Sequence, residues 1–352
     1  MLTEKQIMEV KEHLEKAQNP LFYYDNDADG LCSFLLFRRF LGRGKGVAVR
    51  SYPDLNKQYA SKARELKADY VFVLDKPVIS EEFVKEIKEK GVSFVWVDHH
   101  NMNDDPENFS REFGLYYYNP SKNKGRERSE EPVTYWAYKI TNRKEDLWIA
   151  LMGCIADHYM PDFASDFEKE YPELWAKNIE EPFDVYYKTE IGKIARALNF
   201  GLKDSTTHVV KLQNFLIDSK GPGDVFSESK ENESFRKKYE EIKKKYDSLI
   251  KEAKKQIHGK LLFFVYSGDM SMSSDIANEL SYYNKEKVIV VAYKKQGVSN
   301  ISMRGKNVKE ILDKIISVLD GASGGGHEEA VGARIRTEDL EKFKMLVEKE
   351  IG

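Results

Sequence analysis

An apolar run, Leu21-Phe22-Tyr23-Tyr24, gives way at once to Asp25-Asn26-Asp27-Ala28-Asp29-Gly30. Beyond Gly30 the apolar positions Leu31, Phe34, Leu35 and Leu36 fall on one helical face. The pattern predicts a buried strand, an acidic connection and a helix. Short runs rich in Val, Phe and Tyr recur at Val47–Tyr52, Tyr70–Leu74, Ser93–Val97 and Leu115–Tyr118, with helical periodicity over Asn56–Lys67 and Ser80–Lys90 between them. Strands alternating with helices predict right-handed crossovers and a parallel sheet covered on both faces. Further helices are predicted over Val133–Ile140 and Glu145–Tyr159.

From Pro161 to about His258 the periodicity is helical throughout. Lys230–Gln256 is dense in Lys and Glu, with Phe235, Tyr239, Ile242, Tyr246, Leu249 and Ile250 at helical spacing, and reads as a connecting helix with a solvated face. A second α/β pattern follows: strands at Leu261–Tyr266, Val288–Ala292, Ser299–Met303 and Ala333–Arg336, with helices over Ser274–Tyr283, Val308–Leu319 and from Glu338. The expected organisation is an N-terminal parallel-sheet domain (1–160), a helical connecting region (161–258) and a smaller C-terminal α/β domain (259–352).

Composition narrows the picture only in part. The 352 residues are 41% hydrophobic and 33% charged, the balance of a globular chain rather than a disordered one. No apolar run reaches the roughly 20 residues that span a bilayer, and Met1–Gln18 lacks the apolar core of a signal peptide. Cys32 and Cys154 both fall in helical patterns and read as reduced core residues, so a cytoplasmic location is expected. A formal net charge of -3 supplies no global basic field for duplex DNA, so any nucleic-acid contact would come from local basic groups.

Chemistry gathers at strand ends. Three carboxylates at Asp25, Asp27 and Asp29 repel one another unless a cation neutralises them, and hard divalent ions prefer such oxygen ligands. An acidic turn capping a helix is the alternative. Asp75 follows Val71-Phe72-Val73-Leu74, and Asp98-His99-His100 follows Phe94-Val95-Trp96-Val97. Working residues of open α/β sheets collect beyond the carboxyl ends of strands, so Asp25, Asp75 and Asp98 are expected to converge. Asp157 closes the apolar segment Gly153-Cys154-Ile155-Ala156, where a carboxylate suits the helix dipole badly and calls for a compensating partner such as a metal. His158 beside it either tunes that site or makes a structural bond. Ser273 and Ser274 read as helix caps, and Lys122, Lys124, Arg126 and Arg128 as a solvated loop.

Taken in order, Asp25-x-Asp27-x-Asp29-Gly30, Asp75, Asp98-His99-His100 and Asp157 resemble the four motifs of the DHH phosphoesterase superfamily. Gly324-Gly325-Gly326-His327 resembles the signature of the DHH-associated C-terminal domain, a motif similar to one in alanyl-tRNA synthetases. The Asp-x-Asp-x-Asp-Gly form is that of RecJ-type members; nanoRNases usually show a His and a Pro ahead of the Asp pair, and Phe22 to Asn26 offers neither. The length resembles that of compact archaeal RecJ-like single-strand exonucleases.

The resemblance implies two Mn2+ ions, with Mg2+ or Co2+ as possible substitutes. Asp25 and Asp27 would serve one ion, Asp29, His99 and Asp157 the other, with Asp75 bridging and Asp98 counted among the metal-binding residues. Asp98, His99 and His100 would carry catalysis, His100 facing substrate. Gly324, Gly325, Gly326, His327 and Arg304 would bind substrate phosphate, the glycines through close backbone approach backed by a following helix N-terminus. A flexible turn and a surface Arg are the plain alternatives. The implied activity is Mn2+-dependent hydrolysis of single-stranded DNA or RNA from an end to mononucleotides. Alternatives are a phosphodiesterase of short oligonucleotides, cyclic dinucleotides or phosphoadenosine phosphate, and a replication or repair scaffold with protein partners.

Overall fold

The computed structural model describes residues 1–51, 54–100, 105–123 and 131–352. They form two compact units, Met1–Tyr239 and Glu240–Gly352, and the division falls within the helix Glu233–Lys254. Lys124, Arg126 and Arg128 lie outside the described residues. No helix among the described residues is long and apolar enough to cross a membrane.

The first unit carries strands β1 (Pro20–Asp25), β2 (Lys45–Val49), β3 (Asp54–Leu55), β4 (Tyr70–Leu74), β5 (Val78–Ile79), β6 (Ser93–Val97) and β7 (Tyr116–Tyr118). Five of them form one all-parallel sheet in the order β2-β1-β4-β6-β7, while β3 and β5 pair apart. The inner strands bury nearly every residue, as a sheet covered on both faces must. On one face Phe22 packs against Phe34 and stacks on Phe72, with ring centroids 5.6 and 5.0 Å apart. On the other, Tyr23, Val71, Val73 and Trp96 pack with Phe83 and Ile87.

Helix α1 (Ala28–Leu41) follows β1 and packs against α2 (Val133–Thr141) and α3 (Leu147–Ala156). Their close approach needs Gly153, where a Cβ would run into Thr134 and Cys32. Cys32 and Cys154 are free and buried. The predicted helix over 56–67 breaks into a 3-10 turn, Lys57–Tyr59, and a short helix, Ser61–Glu65. Asn56 caps the first turn through the Gln58 N–H, and Lys67 at φ +53° ends the second. The helices Pro182–Lys188, Glu190–Leu202 and Thr206–Asp218 complete this unit.

The second unit holds a six-stranded sheet of β8 (Ile257–His258), β9 (Leu261–Ser267), β10 (Val288–Lys295), β11 (Val298–Arg304), β12 (Ser323–His327) and β13 (Ala330–Arg336), in the order β12-β13-β11-β10-β9-β8. The β9–β10 pair is parallel and the others antiparallel. Ile301, Met303, Val331, Ala333 and Ile335 pack on one face with α5 (Val308–Ile316) and α6 (Leu340–Ile351). Helix α4 (Ser273–Tyr283) covers β10 and β11 from the other face, where the Ser302 hydroxyl donates to Ser273 at 3.1 Å. Ser273 and Ser274 are therefore the first helical residues and not caps; the N-cap position is Met272.

The glycine motif departs from expectation. It is neither a flexible turn nor the lead-in to a helix, but the edge strand β12, returning directly through Glu328 and Glu329 into β13. Gly326, at φ +139°, and Gly324 press so closely on β13 that a Cβ would strike the carbonyls of Ala330 and Gly332.

Candidate metal centre and substrate-binding residues

Neighbouring strands deliver the acidic residues. Asp25 ends β1, Asp75 follows β4 and Asp98 follows β6, and these three strands lie side by side and parallel. The ladder continues past the strands, because the Asp75 N–H donates to Val97 O and the Asp98 N–H to Tyr118 O, each at 3.0 Å. Asp75 then turns sharply at φ +59°, a conformation that a non-glycine residue adopts at an energetic cost and that concentrates at functional sites. Asp27 is the N-cap of α1, accepting the Gly30 N–H at 2.9 Å. Gly30 is required there because a Cβ would collide with the backbone of Asp25. Asp157 is the C-cap of α3.

Three groups of side chains have ligand atoms within 4.8 Å of one another: Asp25, Asp27 and Asp75; Asp29, His99 and Asp157; and Asp75, His99 and His100. His99 Nε2 stands 3.3 Å from Asp75 Oδ1 and 3.7 Å from Asp157 Oδ2. Asp29 is buried between two jobs. Its carboxylate oxygens accept the N–H groups of Val133 and Thr134 at 2.9 and 2.7 Å, capping α2, yet each oxygen keeps a further lone pair. Asp98 belongs to none of these groups. Its Oδ1 lies 2.7 Å from His100 Nδ1 and its Oδ2 accepts the His100 N–H at 3.2 Å, so the carboxylate expected on a metal instead orients His100.

The electrostatics of this recess are severe. Burial, then repulsion from Asp29, Asp27, Asp25 and Asp157, push the Asp75 carboxyl well above its ordinary range. Desolvation, then Asp25 and Asp29, push Asp27 from 3.8 up to about 8, although part of the side chain reaches solvent, which screens the repulsion. Burial alone would lower His100, but Asp98, helped by Asp157 and Asp25, overrides it and raises the imidazole to about 9. Asp75 Oδ1 is buried and accepts no hydrogen bond among the described residues. An orphaned carboxylate oxygen within a ring of like charges, with the imidazoles of His99 and His100 beside it, fits hard divalent cations.

In the second unit Arg304 and His327 both stand opposite Ala330, on either side of it. Residues directly opposite share a sheet face, so their backbones are roughly 10 Å apart on one face at one end of the sheet. The Arg304 guanidinium donates to Asn278 Oδ1 at 2.6 Å and to Met303 O at 2.8 Å, which fixes its direction. Between these strands Gly325 faces Gly332 across a pair that a Cβ at Gly325 would leave unhindered, a side-chain-free strip of backbone.

Sequence reasoning missed three residues of these two regions. Gly332 interrupts an alternating strand at a position where a Cβ would meet only Ile301 O, at 3.7 Å. Asn119 donates to His100 O at 3.0 Å. Lys76 is fully buried and reaches Asp25; a lysine set between Leu74-Asp75 and Pro77-Val78 was the available signal. His158, adjoining Asp157, stacks on Phe183 with ring centroids 3.9 Å apart.

Residues 21–144 match the DHH family, N-terminal domain, and residues 258–352 match the DHHA1 domain, together more than half of the chain. The chain is a member of the DHH superfamily. Among solved structures, this DHH protein is similar over 99% of its length to the RecJ of Thermus thermophilus in complex with Mn2+, with a TM-score of 0.68 and 15% identity. It spans only 55% of that chain. An exonuclease RecJ bound to manganese matches over 99% of this chain and 95% of its own, with a TM-score of 0.63 and 15% identity. The DHH domain of a protein described as a member of a family of ribosomal proteins matches with a TM-score of 0.70 and 14% identity, over 99% and 90% of the two chains. These likenesses establish a shared RecJ-like fold. No curated protein sequence matches the chain.

Proposed function

We propose that this DHH protein is a metal-dependent phosphodiesterase that hydrolyses single-stranded DNA or RNA from an end, releasing mononucleotides. The observation that carries the reading is the grouping of Asp25, Asp27 and Asp75 beside Asp29, His99 and Asp157, with Asp75 close to both sets. Asp25 and Asp27 would hold one divalent ion, Asp29, His99 and Asp157 the other, and Asp75 would join them. Mn2+ would suit this donor set, with Mg2+ or Co2+ as substitutes. Such a pair supplies an activated water and charge stabilisation for in-line displacement at phosphorus.

The chain's own residues do the rest. His100, whose imidazole Asp98 raises and fixes at Nδ1, would present Nε2 to a phosphoryl oxygen or to the departing group. Arg304 and His327 would bind substrate phosphates, while Gly325 and Gly332 admit the sugar-phosphate backbone close to the sheet. Asp98 acts through His100, so Asp98→Asn is expected to lower kcat by roughly 10- to 100-fold while shifting Mn2+ affinity less than about threefold. Loss of Mn2+ binding in parallel with activity would make Asp98 a ligand after all.

The test is hydrolysis in Mn2+ of a length ladder, from dinucleotides to long single strands of DNA and RNA labelled at either end, with cyclic dinucleotides included. Stepwise loss of nucleotides from long strands is expected and reveals the direction. Cleavage confined to short or cyclic substrates would move the assignment to a scavenging phosphodiesterase. Absence of hydrolysis on every substrate would favour a replication or repair scaffold acting through protein partners.

A further inference from the structure

Lys76 is among the largest fully buried side chains of the protein. Its ammonium lies 3.0 Å from Asp25 Oδ1 and 3.0 Å from Ser51 O. The backbone that places it is held on both sides: Asp75 turns at φ +59°, and the Trp96 indole donates to Lys76 O at 2.9 Å. Asp25 Oδ1 also accepts the Asn26 N–H at 2.9 Å, so two donors hold this oxygen and leave Oδ2 for another partner. The other half of the centre is held differently, since Asp29 is fixed by the neutral N–H groups of Val133 and Thr134. A full positive charge therefore stands against Asp25, whereas Asp29 is held by neutral amides.

From this asymmetry we propose that Lys76 is a built-in cation that makes the Asp25–Asp27–Asp75 group the weaker of the two metal-binding halves, and so sets the order in which two ions load. The inference rests on the metal-centre reading above and adds to it. When ionised, Asp25, Asp27, Asp29, Asp75 and Asp157 bring five negative charges, of which the Lys76 ammonium offsets one. Lysine is seldom buried unless paired, because desolvating the ammonium is costly. Here it neutralises part of the negative charge that Asp25 would otherwise offer to metal. It also fixes the Asp25 rotamer, which favours binding. The two effects oppose each other, and repulsion between an ammonium and a divalent ion sharing one carboxylate exceeds the ordering of a single short side chain.

The experiment titrates Mn2+ into the metal-free full chain, following free Mn2+ by electron paramagnetic resonance and heat by calorimetry, for wild type, Lys76→Met and Lys76→Arg. Wild type is expected to bind in two separated steps. In Lys76→Met the weaker step tightens by roughly tenfold or more while the tighter step moves less than about threefold. Lys76→Arg, which keeps the charge, retains two separated steps. Unchanged or weakened binding in Lys76→Met overturns the proposal, because Lys76 would then be only a structural partner or an orienting group. If circular dichroism shows that Lys76→Met does not fold, Lys76→Gln, which keeps a donor for Ser51 O, is read by the same criteria. A wild-type chain that binds no Mn2+ at all overturns the metal-centre reading itself, an outcome distinct from two steps that ignore Lys76.

Discussion

Asp75→Asn is expected to lower Mn2+-dependent hydrolysis by at least about 10^3-fold, ~4 kcal/mol of barrier, while raising the melting temperature of the metal-free protein. The two effects share one cause. Asp75 stands close to both proposed metal-binding groups, and its Oδ1 is buried and accepts no hydrogen bond among the described residues. Asp75 groups with Asp25 and Asp27 on one side and with His99 on the other, so its loss is expected to weaken both halves at once. Without metal the same carboxylate is a liability, repelled by Asp25, Asp27, Asp29 and Asp157 in a desolvated recess. Asn keeps the shape and removes the charge. Melting curves with and without Mn2+, run beside kcat/KM, separate this from misfolding: the variant should melt higher than wild type in chelator and gain little from Mn2+. Activity within tenfold of wild type would remove Asp75 from the centre. The trade is the familiar one in which an active site is held in a state that the fold alone would not choose.

Much of this centre was legible because the strands announce themselves. Asp25, Asp75 and Asp98 each follow four or more apolar residues, and a parallel sheet turns such strand ends into neighbours. What a side chain does after it arrives was not legible. Asp29 reads as one of three equivalent carboxylates, yet it caps a helix more than a hundred residues away, a contact that no local pattern encodes. Asp98 reads as a ligand by position, and the choice between metal and His100 depends on a rotamer. The glycine motif reads as a turn because three glycines suit one. Its role as an edge strand depends on β13, whose carbonyls come too close for a Cβ at Gly324 or Gly326. Lys76 was hidden by the same habit of reading, since a charged residue after a strand is normally a solvated one.

The metal-free protein is expected to lose stability as pH rises from about 4 to about 8, and Mn2+ is expected to abolish that dependence. The sign follows from proton linkage. Asp27 is pushed from 3.8 up to about 8 and Asp75 moves the same way, so within this window the folded state binds more protons than the unfolded one. Stability conferred by these carboxyls is thus complete below their unfolded value and is lost as pH climbs toward their folded value. Solvent at Asp27 screens part of the repulsion, which limits the change to about 2 kcal/mol, or about 4–8 °C in melting temperature. Divalent metal reverses the balance, because bound cations favour the ionised carboxylates and displace their protons. Melting temperatures across this pH range in chelator and in saturating Mn2+ give the comparison. A metal-free protein whose melting temperature rises over the same range would mean that the carboxylates are already compensated within the fold, and that the recess does not need metal to hold its charge.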